Sequence, residues 1–305
     1  RARPRSSDRR RSPGPARQAA AIAAACAPET PSGENPGLQL GVAMAAAAGS
    51  DRPFLDLLAS EHLAAFGLWA EQLVAESLGK DGKGIVPVTA APLPPAGSLP
   101  PGHRFSVRLR LAGEDEPALD RLTADLAAAG EPLLDLELAS PEALGGEFFR
   151  WEVATAIAGA LLGVHPFDQP DVESTKRETR TLLAARRETG ALPAVEATGD
   201  LESALAAAAP RYVALLAYTD DRPGIAQAAA ALRARLGTRL GVPVTFGYGP
   251  RYLHSTGQLH KGGPAGGLFV QLLGLGGDLP IPGEPFGFAT LTRAQADGDL
   301  LALRA

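Results

Sequence analysis

The chain has 305 residues, 45% of them hydrophobic and 21% charged, and a formal net charge of −5. That length suits one large or two modest domains with a core of useful size, and the charge excludes a whole-chain nucleic-acid binder. A single cysteine, Cys26, excludes an internal disulfide framework and a cysteine-rich zinc site, and it fits a reducing cytoplasm. No charge-free apolar run reaches the roughly 18 residues of a membrane span, so no membrane partner is expected.

The first segment, Arg1 to Arg17, carries seven arginines among Pro and Ser. It reads as a disordered basic tail over residues 1–15, with a nucleic-acid-binding arm as the weaker alternative. Ala19 to Ala25 is apolar but too short and alanine-dominated for a signal peptide, and the chain starts with Arg1, as a fragment or processed product does. Two helices around a Pro28–Pro36 loop are expected from Gln18 to Ala47. Phe54–Leu58 is a short apolar run ahead of Ser60, a potential N-cap. Glu61–Ser77 has helical spacing, Gly84–Thr89 reads as a buried strand, and Pro92–Pro101 as a proline-rich loop. Phe105–Leu111 alternates apolar and polar residues, as a half-exposed strand does. Leu119–Ala129 is helical and stops at Gly130, and Leu133–Leu138 is a strand. Ser140-Pro141 opens a long helix to Leu162.

The second half repeats this rhythm. Helices are expected over Asp171–Arg187, Pro223–Leu240 and Thr292–Leu303. Strands are expected over Tyr212–Tyr218, Val242–Phe246 and Leu268–Leu273. Strand and helix in alternation predict an α/β fold, a three-layer αβα sandwich with a mostly parallel sheet. Ligands of such sheets bind beyond the carboxyl ends of the strands.

Three segments hold residues that can do chemistry. In Glu76-Ser77-Leu78-Gly79-Lys80-Asp81-Gly82-Lys83-Gly84 a carboxylate ends a helix and glycines follow; a charged helix end entering a flexible loop is the plainer reading. His165 to Lys176 joins two helices, with Asp171 as a credible cap and Lys176 able to reach back over the loop; a capped helix with a solvated lysine would look the same. Gly249 to Pro264 gathers two histidines, two hydroxyls, an arginine, a lysine and glycines between two strands, which argues for use of that loop. His254 and His260 are six apart and match no strong metal signature.

Taken together, these residues resemble the glucose-6-phosphate isomerase family. Glu76-Ser77-Leu78-Gly79-Lys80 with Gly82-Lys83-Gly84 is similar to its E-S-x-G-K-x-G-K-G segment. Phe167-Asp168-Gln169, Val172-Glu173 and Lys176 are similar to F-D-Q-x-x-V-E-x-x-K. Leu253 to Gln258 is similar to L-H-S-x-G-Q. The Arg251–Pro264 block, Pro282-Gly283 and Arg293–Ala296 are most similar to members fused behind a transaldolase domain. The resemblance runs from about residue 16 to the C-terminus.

It implies a sugar-isomerase (SIS) fold and the interconversion of glucose 6-phosphate and fructose 6-phosphate through an enediolate. Glu76 is then the proton-shuttling base, Lys176 sits near the ring oxygen and C1 hydroxyl, and His254 assists ring opening. Gln169, Gly79, Lys80, Ser255, Thr256 and Gln258 line the substrate pocket. A carboxylate can take and return one proton, and a cation stabilises the enediolate, so neither metal nor cofactor is required. The partners implied are a phosphorylated hexose and a second copy in a homodimer. In the family's usual order the histidine segment lies between glutamate and lysine, whereas here His254 follows Lys176. The family's first lobe also supplies a Ser/Thr phosphate cradle and an arginine that have no match here. Residues 16–305 therefore read as a C-terminal lobe, the first lobe being absent or incomplete, with little isomerase activity alone. The alternative from another class is a non-catalytic phosphosugar-binding SIS module.

Overall fold

The structure, a computed structural model, describes residues 14–89, 102–196, 201–220, 223–274 and 276–304. The basic tail through residue 13 and the loop expected over Pro92–Pro101 lie outside these residues.

Two helices open the described chain, α1 (Pro15–Ala25) and α2 (Pro36–Gly49). Asn35 caps α2, its side chain accepting a 2.9 Å bond from Leu38 N, and Pro36 occupies the first helical position. Strand β1 (Phe54–Ala59) is buried along its whole length. A 3-10 turn over Glu61–Leu63 then leads into α3 (Ala64–Leu78). Ser60 precedes that turn as expected, but its hydroxyl makes no cap bond and is buried without a partner.

Next come β2 (Val86–Thr89), β3 (Arg104–Leu111), α4 (Pro117–Ala128) and β4 (Leu133–Leu138). These four strands form one parallel sheet in the order β2-β1-β3-β4. The half-exposed reading of β3 needs correction. Its first four residues are all buried, because Arg104 and Ser106 on the polar face turn onto Asp56 of β1, while Arg108 and Arg110 stay half-exposed. Arg104 is tolerated there because its Nε donates a 2.7 Å bond to buried Asp56 on β1, with Nη2 on the other carboxylate oxygen.

A 3-10 turn over Pro141–Ala143 precedes α5 (Leu144–Leu162), so the long helix begins one turn later than expected. Helix α5 packs along α2, where a Cβ at Gly41 would lie 2.6 Å from the Ala154 carbonyl oxygen. The main core gathers Leu40 and Met44 of α2, Leu55 and Leu57 of β1, Val107 and Leu109 of β3, and Trp151 of α5.

Helix α6 (Val172–Thr189) is followed by α7 (Leu201–Ala207), which no sequence signal announced. Strand β5 (Tyr212–Tyr218), α8 (Pro223–Leu240), β6 (Val244–Tyr248) and β7 (Gly267–Leu273) build a second parallel sheet, ordered β6-β5-β7. Strand β6 starts two residues later than expected, since Pro243 has no N–H to give a ladder. Between β6 and β7 the chain forms a 3-10 turn (Arg251–His254) and helix α9 (Gly257–Gly262) where sequence suggested a loop. Helix α10 (Phe288–Arg304) starts one turn early. Asp278 explains it: one carboxylate oxygen accepts from Ala289 N at 2.9 Å and Thr290 N at 3.2 Å.

The α/β class and parallel pairing are as expected. The strands form two sheets of four and three rather than one.

Candidate active site

The three chemistry-bearing segments meet at Gln258. Its side chain has no exposed surface. Nε2 donates to the Gly79 carbonyl at 3.0 Å and to Asp171 Oδ2 at 2.5 Å, while Oε1 accepts from Asp171 N at 3.0 Å. One amide thus ties the end of α3 to the start of α6 from its seat on α9. Asp171 is therefore not an ordinary N-cap: it makes no side-chain bond to its own helix. Lys80 adds a second tie. Its Nζ donates to the His165 carbonyl at 2.6 Å and to Asp168 Oδ1 at 2.9 Å, and that bond holds the Asp168 carboxyl below the usual carboxylate range.

The glycines make this convergence sterically feasible. A Cβ at Gly79 would lie 2.5 Å from Leu259 Cα. Gly84 has φ of +128°, and a Cβ there would meet the Leu78 carbonyl oxygen at 2.5 Å. Gly82 N also donates to Gly262 O at 2.9 Å, fastening the turn after α3 onto α9.

Lys176 and His254 line one cavity of about 220 Å³, with Thr175, Thr179, Arg180, Leu253, Lys261 and Gln295. Both are exposed. Lys176 Nζ lies 2.7 Å from Glu173 Oε1, and this contact lowers the Glu173 carboxyl below its ordinary range. Glu76 is half-buried in the last turn of α3, where Oε2 accepts a 3.2 Å bond from Gln72. It is not among the described residues lining that cavity. Gln169 is exposed in the loop before α6. Ser255 donates to the Tyr252 carbonyl at 3.3 Å, and Thr256 is buried just before α9. Of the anticipated pocket residues, Gly79, Lys80 and Gln258 spend their polar groups on the joint between segments.

Several further groups were given no site role from sequence. Lys261 Nζ sits 2.7 Å from Asp299 Oδ1, with both side chains almost wholly buried. Asp299 also accepts from Tyr252 OH, from Gln271 Nε2 at 3.3 Å and from Thr175 Oγ1 at 3.4 Å. Burial, then the Asp299 charge, pushes the Tyr252 phenol up, so it stays protonated. His260 is the opposite case: burial, then Lys261, pulls its imidazole down to about 3. Glu71, five residues before Glu76 on α3, accepts a 2.6 Å bond from Thr89, and burial raises its carboxyl. The Lys–Asp pair spans 38 positions of sequence, so no local pattern could reveal it.

Among the described residues, the group with metal-ligand spacing is exposed His62 with half-buried Glu114 and Glu116, and neither His254 nor His260 belongs to it. A larger cavity of about 470 Å³ lies at the carboxyl ends of β5 and β7, lined by Tyr218, Gly249, Gly274 and Arg293 among others. Gly249 and Pro250 of the third segment line it too, but none of the candidate catalytic or substrate-binding residues does. No described helix is long and apolar enough to cross a membrane.

No family model matches the chain. Curated relatives do. A probable glucose-6-phosphate isomerase of Natronomonas pharaonis is 35% identical over 156 residues, which is 41% of this chain and 36% of that protein. The glucose-6-phosphate isomerase of Rubrobacter xylanophilus is 36% identical over 156 residues, 40% of this chain and 35% of its own. That of Lactobacillus delbrueckii subsp. bulgaricus is 33% identical over 153 residues, 39% and 34% of the two chains. Among solved structures, the C-terminal domain of glucosamine-fructose-6-phosphate aminotransferase from Francisella tularensis aligns over 94% of this chain and 91% of its own at 11% identity. Its TM-score is 0.35, a likeness too loose to carry an argument. The matched stretch spans little more than a third of the length of the curated relatives, and over that stretch the chain is a sequence relative of the glucose-6-phosphate isomerases.

Proposed function

We propose that this chain is the C-terminal part of an aldose–ketose isomerase acting on glucose 6-phosphate and fructose 6-phosphate in the cytoplasm. The observation that carries the reading is the meeting of three segments at one buried amide, Gln258, with Lys176 and His254 beside it on a single cavity. The joint fixes segments up to 179 residues apart relative to one another, the positioning that a reaction using groups from all three needs.

In the proposed reaction His254 assists ring opening. Glu76 takes the C2 proton of the open aldose, the C2–H electron pair becomes the C1=C2 bond, and the carbonyl π pair moves onto O1. Lys176 stabilises the resulting enediolate charge. A proton then passes from the C2 hydroxyl to O1, the O2 electron pair forms the C2 carbonyl of the ketose, and the C1=C2 pair takes the proton back from Glu76 at C1. The finer likeness to enzymes fused to a transaldolase domain rests on the Arg251–Pro264 block and Arg293–Ala296.

The second reading is a phosphosugar-binding module without catalysis, favoured by the position of Glu76 outside the lining of the cavity. The two separate on one substitution. Glu76→Gln in the full gene product is expected to lower isomerisation, followed by coupled assay, at least ~100-fold while glucose 6-phosphate binding stays within a few-fold. Unchanged turnover would take the proton-shuttle role away from Glu76, whereas an unaltered protein that binds but never isomerises leaves the binding module.

A further inference from the structure

The cavity of about 220 Å³ has a one-sided charge. Lys176, Arg180, His254 and Lys261 line it with Thr175, Thr179, Leu253 and Gln295, and among the described residues no acidic residue does. Such a lining selects an anion or developing negative charge. Its two lysines are held in different ways. Lys176 is 44% exposed and leans on Glu173 of its own helix. Lys261 is 5% exposed, and its counter-ion Asp299 is not exposed at all.

An ammonium group has three N–H donors. Lys261 commits one to Asp299 Oδ1 at 2.7 Å and one to the Gly257 carbonyl at 3.1 Å. The third is left for the cavity that Lys261 lines. Asp299 is itself fixed by Tyr252, Gln271 and Thr175, so the lysine is held from behind by a carboxylate that cannot swing away. For stability alone the pair is a poor choice, since a well-packed apolar pair commonly serves as well or better. As a device for charge placement it is good. The ordering entropy of the lysine is met during folding, and a fixed cation away from bulk water acts more strongly on a nearby charge than a solvated one.

We propose that Lys261 is a second catalytic cation, contacting the enediolate oxygens, and that Asp299 is its positioning residue. The proposal rests on the reading of this cavity as the sugar-end site of an isomerase. An electrostatic partner of the enediolate acts on turnover more than on ground-state affinity.

The test is steady-state kinetics on the full gene product with Lys261→Met, Lys261→Gln, Asp299→Asn and the Lys261→Met/Asp299→Asn double variant, each checked for folding by circular dichroism. Lys261→Met is expected to lower kcat about 100-fold or more, with KM within about 3-fold and inhibition by inorganic phosphate unchanged. Should it fail to fold, Lys261→Gln, which keeps a donor for Asp299, carries the same expectation. Asp299→Asn is expected to lower kcat by about 10-fold, and to add nothing on top of Lys261→Met, as a residue acting through the lysine must. Turnover unchanged in the folded lysine variants overturns the proposal and leaves the isomerase reading standing. A loss confined to KM and phosphate inhibition also overturns it, because the lysine then meets the phosphate end. Absence of isomerisation in the unaltered protein sinks both.

Discussion

Gln258 makes three hydrogen bonds to two other segments, and each partner is a group that water cannot replace without opening the joint. Removing the amide leaves the Gly79 carbonyl and Asp171 short of partners, and buried polar groups left unpaired cost about 1–3 kcal/mol each. Gln258→Leu is therefore expected to lower unfolding stability by about 2–4 kcal/mol, read as a drop in the urea midpoint without a change in slope. A midpoint that does not move would mean the segments are held together elsewhere. His260 tests the polarity of the same region. Its ring lies 5.2 Å from Phe269 and 5.9 Å from Tyr252, and its folded-state value of about 3 lies below the ordinary 6.5. The unfolded chain thus takes up a proton on His260 that the folded chain refuses. Its contribution is intact above about pH 6.5 and is lost as pH falls toward 3. Between pH 7 and pH 5, His260→Phe is expected to lose about 1–2 kcal/mol less stability than the unaltered protein. Equal losses would show that the imidazole is not buried neutral.

Elements were legible where a local rule governs them. The apolar run of β5 and the Pro223–Leu240 helix stand where their patterns put them, because burial on both faces and a terminal glycine leave few alternatives. Three errors share one cause. Strand β3 alternates in sequence yet is buried, since Arg104 finds Asp56 at a distance of 48 residues. Helix α10 starts early on the carboxylate of Asp278, and α9 forms where glycines and prolines spelled a loop. In each case a partner outside the local pattern overrides the signal, 11 residues away for α10, 48 for β3 and 179 for α9. The three motif segments could be picked out by residue type, but their joint could not, because Gln258 looks like any surface glutamine until its partners arrive. Helix packing gives a prediction with opposite signs at two glycines. Gly41→Ala on α2 forces a Cβ to 2.6 Å from the Ala154 carbonyl oxygen and is expected to destabilise by about 1–3 kcal/mol. Gly67→Ala on α3 meets only Ala59 Cβ at 3.9 Å and is expected to stabilise by about 0.5–1 kcal/mol. Thermal melts of the two variants decide it, and a Gly41→Ala variant as stable as the unaltered protein would refute the close α2–α5 contact.

Across the whole molecule, two parallel sheets are joined by a shared cluster in which Phe54 of β1 and Val86 of β2 pack with Tyr212 and Ala214 of β5, and the candidate site lies where α6, α9 and α10 come together beside the end of α3. The curated relatives, named glucose-6-phosphate isomerases, are nearly three times the length of the stretch they share with this chain. The most direct measurement is solvent isotope exchange. Glucose 6-phosphate is incubated with the full gene product in deuterated water, and proton loss at C2 is followed by NMR. The account predicts that the unaltered protein exchanges the C2 proton, and that Glu76→Gln stops this exchange although the substrate still binds. Exchange at an undiminished rate in Glu76→Gln would contradict it, for the carboxylate on α3 would then have no hand in the proton's transfer.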